Sequence, residues 1–147
     1  MKTMEMTNIF ANVAEGTHGG SCTFVAAEAM APRHLLVAFG AGENGGKVTI
    51  AGAADRPIGT ATDEAAAGDP VSVQFLGGGQ TVSMVSSEAI AQGAILTGAG
   101  GGRVRAIPSD AGEYIQIGVA IGGAAGANQA LEVLPAVAPT FTVAGGA

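Results

Sequence analysis

The sequence predicts a mainly β fold, a small barrel or sandwich built from two similar halves. Glycine occurs 25 times in 147 residues, so few segments are long enough for a helix of ordinary length. Between the glycines, apolar and polar residues alternate, as in VTI at 48–50 and VSVQF at 71–75. This period of two is typical of half-buried strands. Many short strands joined by glycine-rich turns favour a sandwich or a barrel.

The first sign of two halves is a nine-residue segment that occurs twice. TFVAAEAMA at 23–31 and SMVSSEAIA at 83–91 lie about sixty residues apart. When the two are aligned, Val25 falls on Val85 and both segments carry a glutamate at the same place.

A second block follows in both copies. HLLVAFGAGENGGKVTI (34–50) and AILTGAGGGRVRAI (94–107) both run from apolar residues through a glycine cluster to a basic residue, which alternating apolar residues follow. This alignment places Leu36 on Leu96.

The third block consists of PIGTATDEAAAGDPVSVQFL (57–76) and QIGVAIGGAAGANQALEVL (116–134). Three blocks that recur in one order at a nearly constant offset predict an internal duplication, with halves at about 22–77 and 82–136. In such proteins each copy is one structural unit whose core the neighbouring copy completes. The aligned glycines of the third block are Gly59 with Gly118 and, after one inserted residue, Gly68 with Gly126.

Three alanine-rich segments are expected to depart from the strand pattern. AAEAMA (26–31), DEAAAG (63–68) and SEAIAQG (87–93) combine alanine with glutamate, which favours helix, and two of them end in the glycine that commonly closes one. We expect short helical turns in these segments.

Both ends lie outside the duplication and are expected to be extended arms. Residues 1–21 form the N-terminal arm, which ends in a glycine-rich hinge, and residues 138–147 form the C-terminal tail, so the folded domain is 22–137. The N-terminal arm is more apolar than a solvent-exposed tail usually is, and its apolar residues are spaced too irregularly for a helix. We therefore expect it to contact another protein. The candidates for this interface are Met4, Met6, Ile9, Phe10 and Val13.

Composition narrows the range of partners. Charged residues make up 12% of the chain, against about 25% in an average globular protein, which indicates a surface partly covered by other subunits. The net charge is −6 and the six Lys and Arg are scattered, so no nucleic-acid partner is expected. No apolar run approaches the length of about 18 residues that a membrane helix needs, so no membrane partner is expected. The single cysteine, Cys22, forms no intrachain disulfide, which suits a protein made in a reducing cytoplasm.

One glycine motif resembles a nucleotide-binding loop but has the wrong context. GAGENG at 40–45 satisfies G-x-G-x-x-G, yet a dinucleotide site needs a helix after the loop, and a strand-like segment follows. A phosphate loop ending at Lys47 would need Ser or Thr where Val48 stands. We therefore interpret the motif as a hairpin turn and expect no cofactor.

The candidate catalytic and metal-binding residues are sparse. His18, Cys22 and His34 do not have a zinc spacing and lack a fourth ligand. Ser86 and Ser87 stand where the first copy has alanines, so a nucleophile is not a shared feature. Paired catalytic carboxylates at the two repeated glutamates, Glu28 and Glu88, are less plausible than helix-capping or solvated polar residues. The sequence therefore predicts no metal and no enzymatic activity.

Three segments resemble the capsid-cement, or head-decoration, proteins of tailed bacteriophages. That family shows an I-G-x-A step, an A-x-A-G-D/E-x-V-x-V step and an I-x-x-G-x-x-L step, which correspond to residues 58–61, 65–73 and 90–96. The resemblance covers about residues 22–136. One departure is Ala94, where the family usually has an acidic residue.

The resemblance implies a β-tulip-like virion protein on the capsid exterior. It implies binding to the major capsid protein, bridging of neighbouring capsomers and a homotrimer. The N-terminal arm would then add main-chain hydrogen bonds at a neighbour's strand edge, on the capsid or on a sister subunit. The alternative is a small carbohydrate-binding or adhesin-like module, which would call for exposed aromatic residues. The chain has no Trp and only one Tyr.

Overall fold

The computed structural model describes residues 20–145, and for residues 137–140 the backbone alone. Within this range the chain is mainly β, with one three-residue 3-10 helix at Gly42–Asn44. No helix in the range is long and apolar enough to cross a membrane. The ten strands of the range are β1 (Ser21–Ala26), β2 (Leu36–Phe39), β3 (Lys47–Ile50), β4 (Gly59–Ala61), β5 (Pro70–Phe75), β6 (Val82–Val85), β7 (Ile95–Gly100), β8 (Arg103–Ala106), β9 (Gly112–Ala120) and β10 (Ala130–Val143).

The first five strands close into a barrel with the order β1-β3-β2-β4-β5. Strands β1 and β3 are parallel, and every other neighbouring pair is antiparallel. The GAGENG segment joins β2 to β3 as a hairpin that contains the 3-10 helix. The prediction of a turn at this motif is therefore confirmed.

The last five strands form a sheet with the order β6-β10-β9-β7-β8. Strands β7, β9 and β10 have partners equivalent to those of β2, β4 and β5, whereas β6 and β8 are the two edges of the sheet. The parallel contact of β1 with β3 returns as a parallel bridge between Ser86 and Val104 at the ends of β6 and β8. The mainly β, two-half architecture predicted from the sequence is what the chain forms.

The strand registers show how closely the two halves correspond. Val25 pairs with Pro70 across β1 and β5, and Val85 pairs with Ala130 across β6 and β10. Beyond these strands, each half has one isolated antiparallel bridge at an equivalent place. The first bridge joins Met30 to Ala65, and the second joins Ile90 to Ala124. Val25 is thus equivalent to Val85, as the repeated segment predicts.

The predicted match of Leu36 with Leu96 is wrong by one residue. His34 donates its backbone N–H to the Ala61 carbonyl, and in the second half Gly93 donates to Ala120. The first copy therefore has one residue more in the turn before β2. Val37, which pairs with Ile50, is the equivalent of Leu96, which pairs with Ala106.

The predicted match of Gly68 with Gly126 is also wrong. Gly68 donates its N–H to the Ala26 carbonyl, and the equivalent bond comes from Asn128 to Ser86. Both residues have positive φ, 87° for Gly68 and 60° for Asn128. Asparagine tolerates this conformation better than most residues, so it can replace the glycine on which the sequence alignment relied.

The predicted helical turns do not form. The three alanine-rich segments are bends and turns around the two isolated bridges that involve Met30 and Ile90. Met30, Ile90 and Ala124 are buried and bond across the fold, so tertiary packing overrides the helix preference of alanine and glutamate.

Two strand ends extend past the boundaries expected from the sequence. Strand β1 begins at Ser21, and β10 continues to Val143, where it pairs with Gly112 of β9. The first part of the expected C-terminal tail is thus strand. The N-terminal arm up to residue 19 lies outside the described residues.

Two equivalent glycines allow strands to approach closely in each half. A Cβ at Gly59 would collide with the carbonyl oxygen of Gln74 and lie 2.9 Å from Cγ1 of Val73. A Cβ at Gly118 would lie 2.5 Å from the carbonyl oxygen of Leu134 and 2.7 Å from Cγ1 of Val133. The glycine of the Ile-Gly step therefore lies where β4 pairs with β5, and β9 with β10, too closely to leave room for a side chain.

The buried side chains form two clusters that meet at β2. Val37 points into the barrel, whereas its neighbours Leu36 and Ala38 belong to the core of the second half. The barrel cluster consists of Ala26, Met30, Val37, Val48, Ala61, Val71 and Val73. The larger cluster consists of Leu36, Ala38, Ala51, Leu76, Val82, Met84, Ile90, Leu96, Val104, Ile117, Ala120, Ala124, Leu131 and Val133.

Backbone hydrogen bonds also join the two halves. Leu36 donates to the carbonyl of Gly102 at 2.8 Å, and Gly102 donates to the carbonyl of Ala51 at 3.0 Å. Gly102 has a φ of 74°, and a Cβ there would lie 2.8 Å from Cβ of Leu35. The turn between β7 and β8 therefore inserts its backbone directly against the first half.

Gly59→Ala and Gly118→Ala are each expected to lower the free energy of unfolding by about 1–3 kcal/mol, the usual cost of overpacking. The reason is that neither backbone carbonyl can move away from a new Cβ without disturbing a strand. Urea unfolding measures the loss. Gly126→Ala is the matched control, since a Cβ there meets nothing within 4 Å. An unchanged stability of Gly118→Ala would contradict the equivalence of the two sites.

Gly93→Ala is expected to cost about 1–2 kcal/mol, because its φ of 84° is unfavourable for a residue with a Cβ. The equivalent His34 already carries a Cβ at a φ of 72°. His34→Ala should therefore change stability by less than about 0.5 kcal/mol. Equal losses in thermal or urea unfolding would show that the two turns are not equivalent.

Candidate interaction surface

The two repeated glutamates are surface residues with a structural role in at least one copy. Glu28 is exposed, and its Oε2 accepts the backbone N–H of Ile50 at 3.2 Å. This bond ties the bend after β1 to the end of β3. Glu88 occupies the equivalent exposed position after β6.

The serine pair of the second half holds a loop. Ser86 is fully buried, and its hydroxyl donates to the Gly126 carbonyl at 2.6 Å while accepting the N–H of Gln129 at 3.1 Å. Ser87 donates to the carbonyl of Val104 at 3.2 Å. Both hydroxyls are thus engaged with backbone groups.

The remaining polar candidates are dispersed. His34 lies in the turn before β2, and Cys22 lies on β1, where its Sγ donates to the Thr23 carbonyl at 3.7 Å. Within residues 20–145, no three His, Cys, Asp or Glu side chains come together as metal ligands would. His18 lies outside the described residues.

The most distinctive surface feature is a phenylalanine cap at one end of the barrel, formed by Phe24, Phe39 and Phe75. The ring of Phe24 meets the ring of Phe39 at a centroid distance of 5.8 Å and that of Phe75 at 6.1 Å, both edge to face. Such geometry is favourable for aromatic pairs. Phe39 remains 61% exposed, so the cap is incompletely covered by its own chain.

Strand periodicity explains why these three rings meet. Successive inward positions of a strand are two residues apart. Phe39 therefore follows Val37 on the inward side of β2, and Phe75 follows Val73 on β5. Phe24 precedes Ala26 on β1 and packs against the barrel core. Side chains fill the interior of a small barrel, so bulky inward-facing residues near the strand ends cover the open end of the barrel.

A concavity of about 530 Å³ adjoins the cap. Phe39 forms one wall, Ala38, Ala41 and Ile58 provide further apolar surface, and Asp55 lies at the polar side. Asp55 is itself engaged as a turn residue, because its carboxylate accepts the N–H of Gly52 at 2.7 Å. Thr49 and Arg56 also line the concavity, so the exposed ring of Phe39 stands beside a recess of mixed polarity with room for a few side chains.

A second cleft of about 370 Å³ lies between β7 and β9. Arg105, Tyr114 and Ile115 are among the residues that line it. The Nε of Arg105 is buried and has no hydrogen-bond partner within the described part of the chain. A buried donor of this kind would bind a carbonyl or carboxylate oxygen favourably.

The structure does not test the interface residues predicted from the sequence. Those five residues of the N-terminal arm lie outside the described residues. The phenylalanine cap was missed, because sequence periodicity assigns its members to ordinary strands. A signal was nevertheless present, since Phe39 and Phe75 both stand at strand ends next to glycine-rich turns, where an inward ring reaches the mouth of a barrel.

The structure thus shows a β-rich protein with an exposed phenylalanine cap and with the Ser86, Ser87 and Glu28 side chains bonded to its own backbone. Residues 16–135 match the family model of phage cement proteins. The chain therefore belongs to the phage cement protein family, and it is a structural component of the phage virion on the capsid exterior. No curated protein matches the sequence.

A solved structure has a similar fold. The crystal structure of the head fiber gp8.5 N base of bacteriophage phi29 aligns with a TM-score of 0.62 at 18% sequence identity. The alignment covers 79% of this chain and 92% of that chain. At this identity the similarity shows the shared fold.

Ser86→Ala is expected to lower the free energy of unfolding by about 1–3 kcal/mol, because it leaves buried backbone groups of the 126–129 loop without partners. Ser87→Ala is the control and should cost less, since Ser87 is only partly buried and loses one longer bond. Chemical denaturation of the two variants gives the comparison. A larger loss in Ser87→Ala would contradict the structural role assigned to Ser86.

Proposed function

We propose that the protein binds the outer surface of a phage capsid and stabilises it by bridging neighbouring capsomers. The observation that carries this proposal is the match to phage cement proteins over residues 16–135. The direct partner would be the major capsid protein. No catalytic step is part of the proposal, which accords with the structural use of Ser86 and Glu28.

The composition and surface support an assembling role. Charged residues make up only 12% of the chain, so little of the surface carries the charge that keeps monomers apart. Phe39 and Leu134 expose 61% and 50% of their surface. We propose a homotrimer, in which subunits cover part of this apolar surface before or during attachment.

The N-terminal arm would strengthen the attachment. Burying an apolar side chain contributes about 1.5–3 kcal/mol, and ordering each residue costs about 1–2 kcal/mol of backbone entropy. These contributions nearly cancel for an irregular apolar segment by itself. They favour binding where a partner supplies both a pocket and main-chain hydrogen bonds. We therefore assign Met4, Met6, Ile9, Phe10 and Val13 to a capsid or subunit interface.

The test uses the full-length protein and capsids that lack it. Bound protein should co-sediment in saturable amounts and raise the temperature at which the capsids disrupt, as calorimetry measures. Replacing Ile9 and Phe10 together by serine should weaken binding by about tenfold or more, given the apolar surface lost. At dilutions where the subunits are dissociated, the unfolding temperature of the protein should change little, because the arm then has no partner to bind.

Two controls address catalysis and specificity. Glu88→Gln and His34→Ala alter residues that would be candidates for catalysis if the protein were an enzyme. Both variants should bind and stabilise capsids like the unsubstituted protein. Failure of the original protein to bind any matching capsid would contradict the proposed function. Loss of capsid stabilisation in these two variants, with folding intact, would contradict the absence of a chemical step.

A further inference from the structure

We propose that the phenylalanine cap is the docking site for the N-terminal arm of a second copy of this chain. The proposal rests on the proposed function only in that it assumes an assembled state. It names the surface that holds the copies together, and it assigns the arm to a sister subunit instead of the capsid.

The cap is an apolar surface whose own chain leaves it open. Phe39 is the most exposed of the large apolar residues in the described part of the chain. Its ring is held in place by Phe24, which is held in turn by Phe75. A rigid aromatic surface of this kind loses little conformational freedom when a partner binds, and it lies beside a concavity of about 530 Å³.

The undescribed arm starts at the edge of this cap. The carbonyl oxygen of Gly20, the first described residue, accepts the N–H of Phe75 at 2.7 Å. The arm has the matching chemistry, since it contains three of the five methionines in addition to Ile9, Phe10 and Val13. Methionine sulfur packs favourably on aromatic rings, and its flexible chain fits irregular gaps.

The arm is long enough to reach a second copy of the chain. Val13 and Met4 precede Gly20 by seven and sixteen residues, which span at most roughly 23 and 53 Å at about 3.3 Å per residue. A domain of this size has a radius of gyration of about 14 Å. Because both spans exceed that radius, the apolar residues of the arm can reach the cap of an adjacent subunit.

The arm binds the cap through its side chains. The five strands close into a ring, which β1 and β3 complete through a short parallel contact at Val25 and Ala26. Docking at the cap inserts side chains of the arm against Phe39 and into the adjoining concavity. Passing the arm in one direction around a three-fold axis closes a ring of identical contacts, which agrees with a trimer.

Disulfide trapping tests the exchange directly. Two full-length chains are co-expressed in a Cys22→Ser background, one with Phe10→Cys and an affinity tag, the other with Phe39→Cys. Mild oxidation followed by non-reducing electrophoresis should give a covalent dimer that contains both chains. The control replaces Phe39→Cys by Leu134→Cys, an exposed apolar position in the second half, and should give at least severalfold less of this product.

A single chain with both Phe10→Cys and Phe39→Cys distinguishes the two modes of docking. Exchange predicts interchain products of two or more chains. A monomer closed by an internal disulfide would show that the arm covers its own cap and would overturn the proposal. Equal trapping by the Leu134→Cys control, or no trapping at all, would overturn it as well.

Sedimentation of full-length Phe39→Ser and Leu134→Ser provides an independent measurement. Phe39→Ser should lower the average mass over a dilution series relative to the unsubstituted protein, whereas Leu134→Ser should not. Equal masses for both variants would count against the cap. If capsid binding fails while interchain trapping persists, the proposed function is wrong and the arm exchange is retained. If the protein binds capsids but no interchain disulfide forms, the arm exchange is wrong and the proposed function is retained.

Discussion

Burial of strand β2 on both faces is the constraint on which the rest of the structure depends. Val37 fills the barrel, and Leu36 and Ala38 on the opposite face enter the core of the second half. Neither half can therefore complete its core alone, which is the usual consequence of a tandem duplication. The hydrogen bonds of Gly102 to Leu36 and Ala51 reinforce this contact, so both side chains and backbone join the two halves.

The duplication preserves backbone geometry more strictly than residue identity. The crossing at Gly59 and Gly118 has the same steric cause in both halves, because a carbonyl of the neighbouring strand occupies the space of a side chain. The left-handed turn position, in contrast, is filled by His34 in one half and Gly93 in the other. A Cβ at Gly59 or Gly118 would overlap a backbone carbonyl, whereas a Cβ at Gly93 would meet nothing within 4 Å. At Gly93 the unfavourable φ is therefore the main cost, about 1–2 kcal/mol.

The two halves have also diverged in the surfaces that they offer. Barrel closure in the first half brings Phe24, Phe39 and Phe75 to one end, where an apolar cap forms. In the second half β10 continues past β6 and pairs only with β9 beyond Val133. The first half thus supplies an apolar end surface and the second half a long strand pair.

The sequence by itself determined the strand-rich architecture, the two halves and the hairpin at GAGENG, because alternation, glycine turns and repeated order are local signals. Tertiary structure decided what local signals cannot carry. Alanine and glutamate favour helix, yet the segments around Met30 and Ile90 became bends, because buried bridges outweigh propensities of a few tenths of a kcal/mol. The one-residue shift at Val37 and the meeting of three phenylalanines depend on strands distant in the chain, and only the closed barrel brings these together.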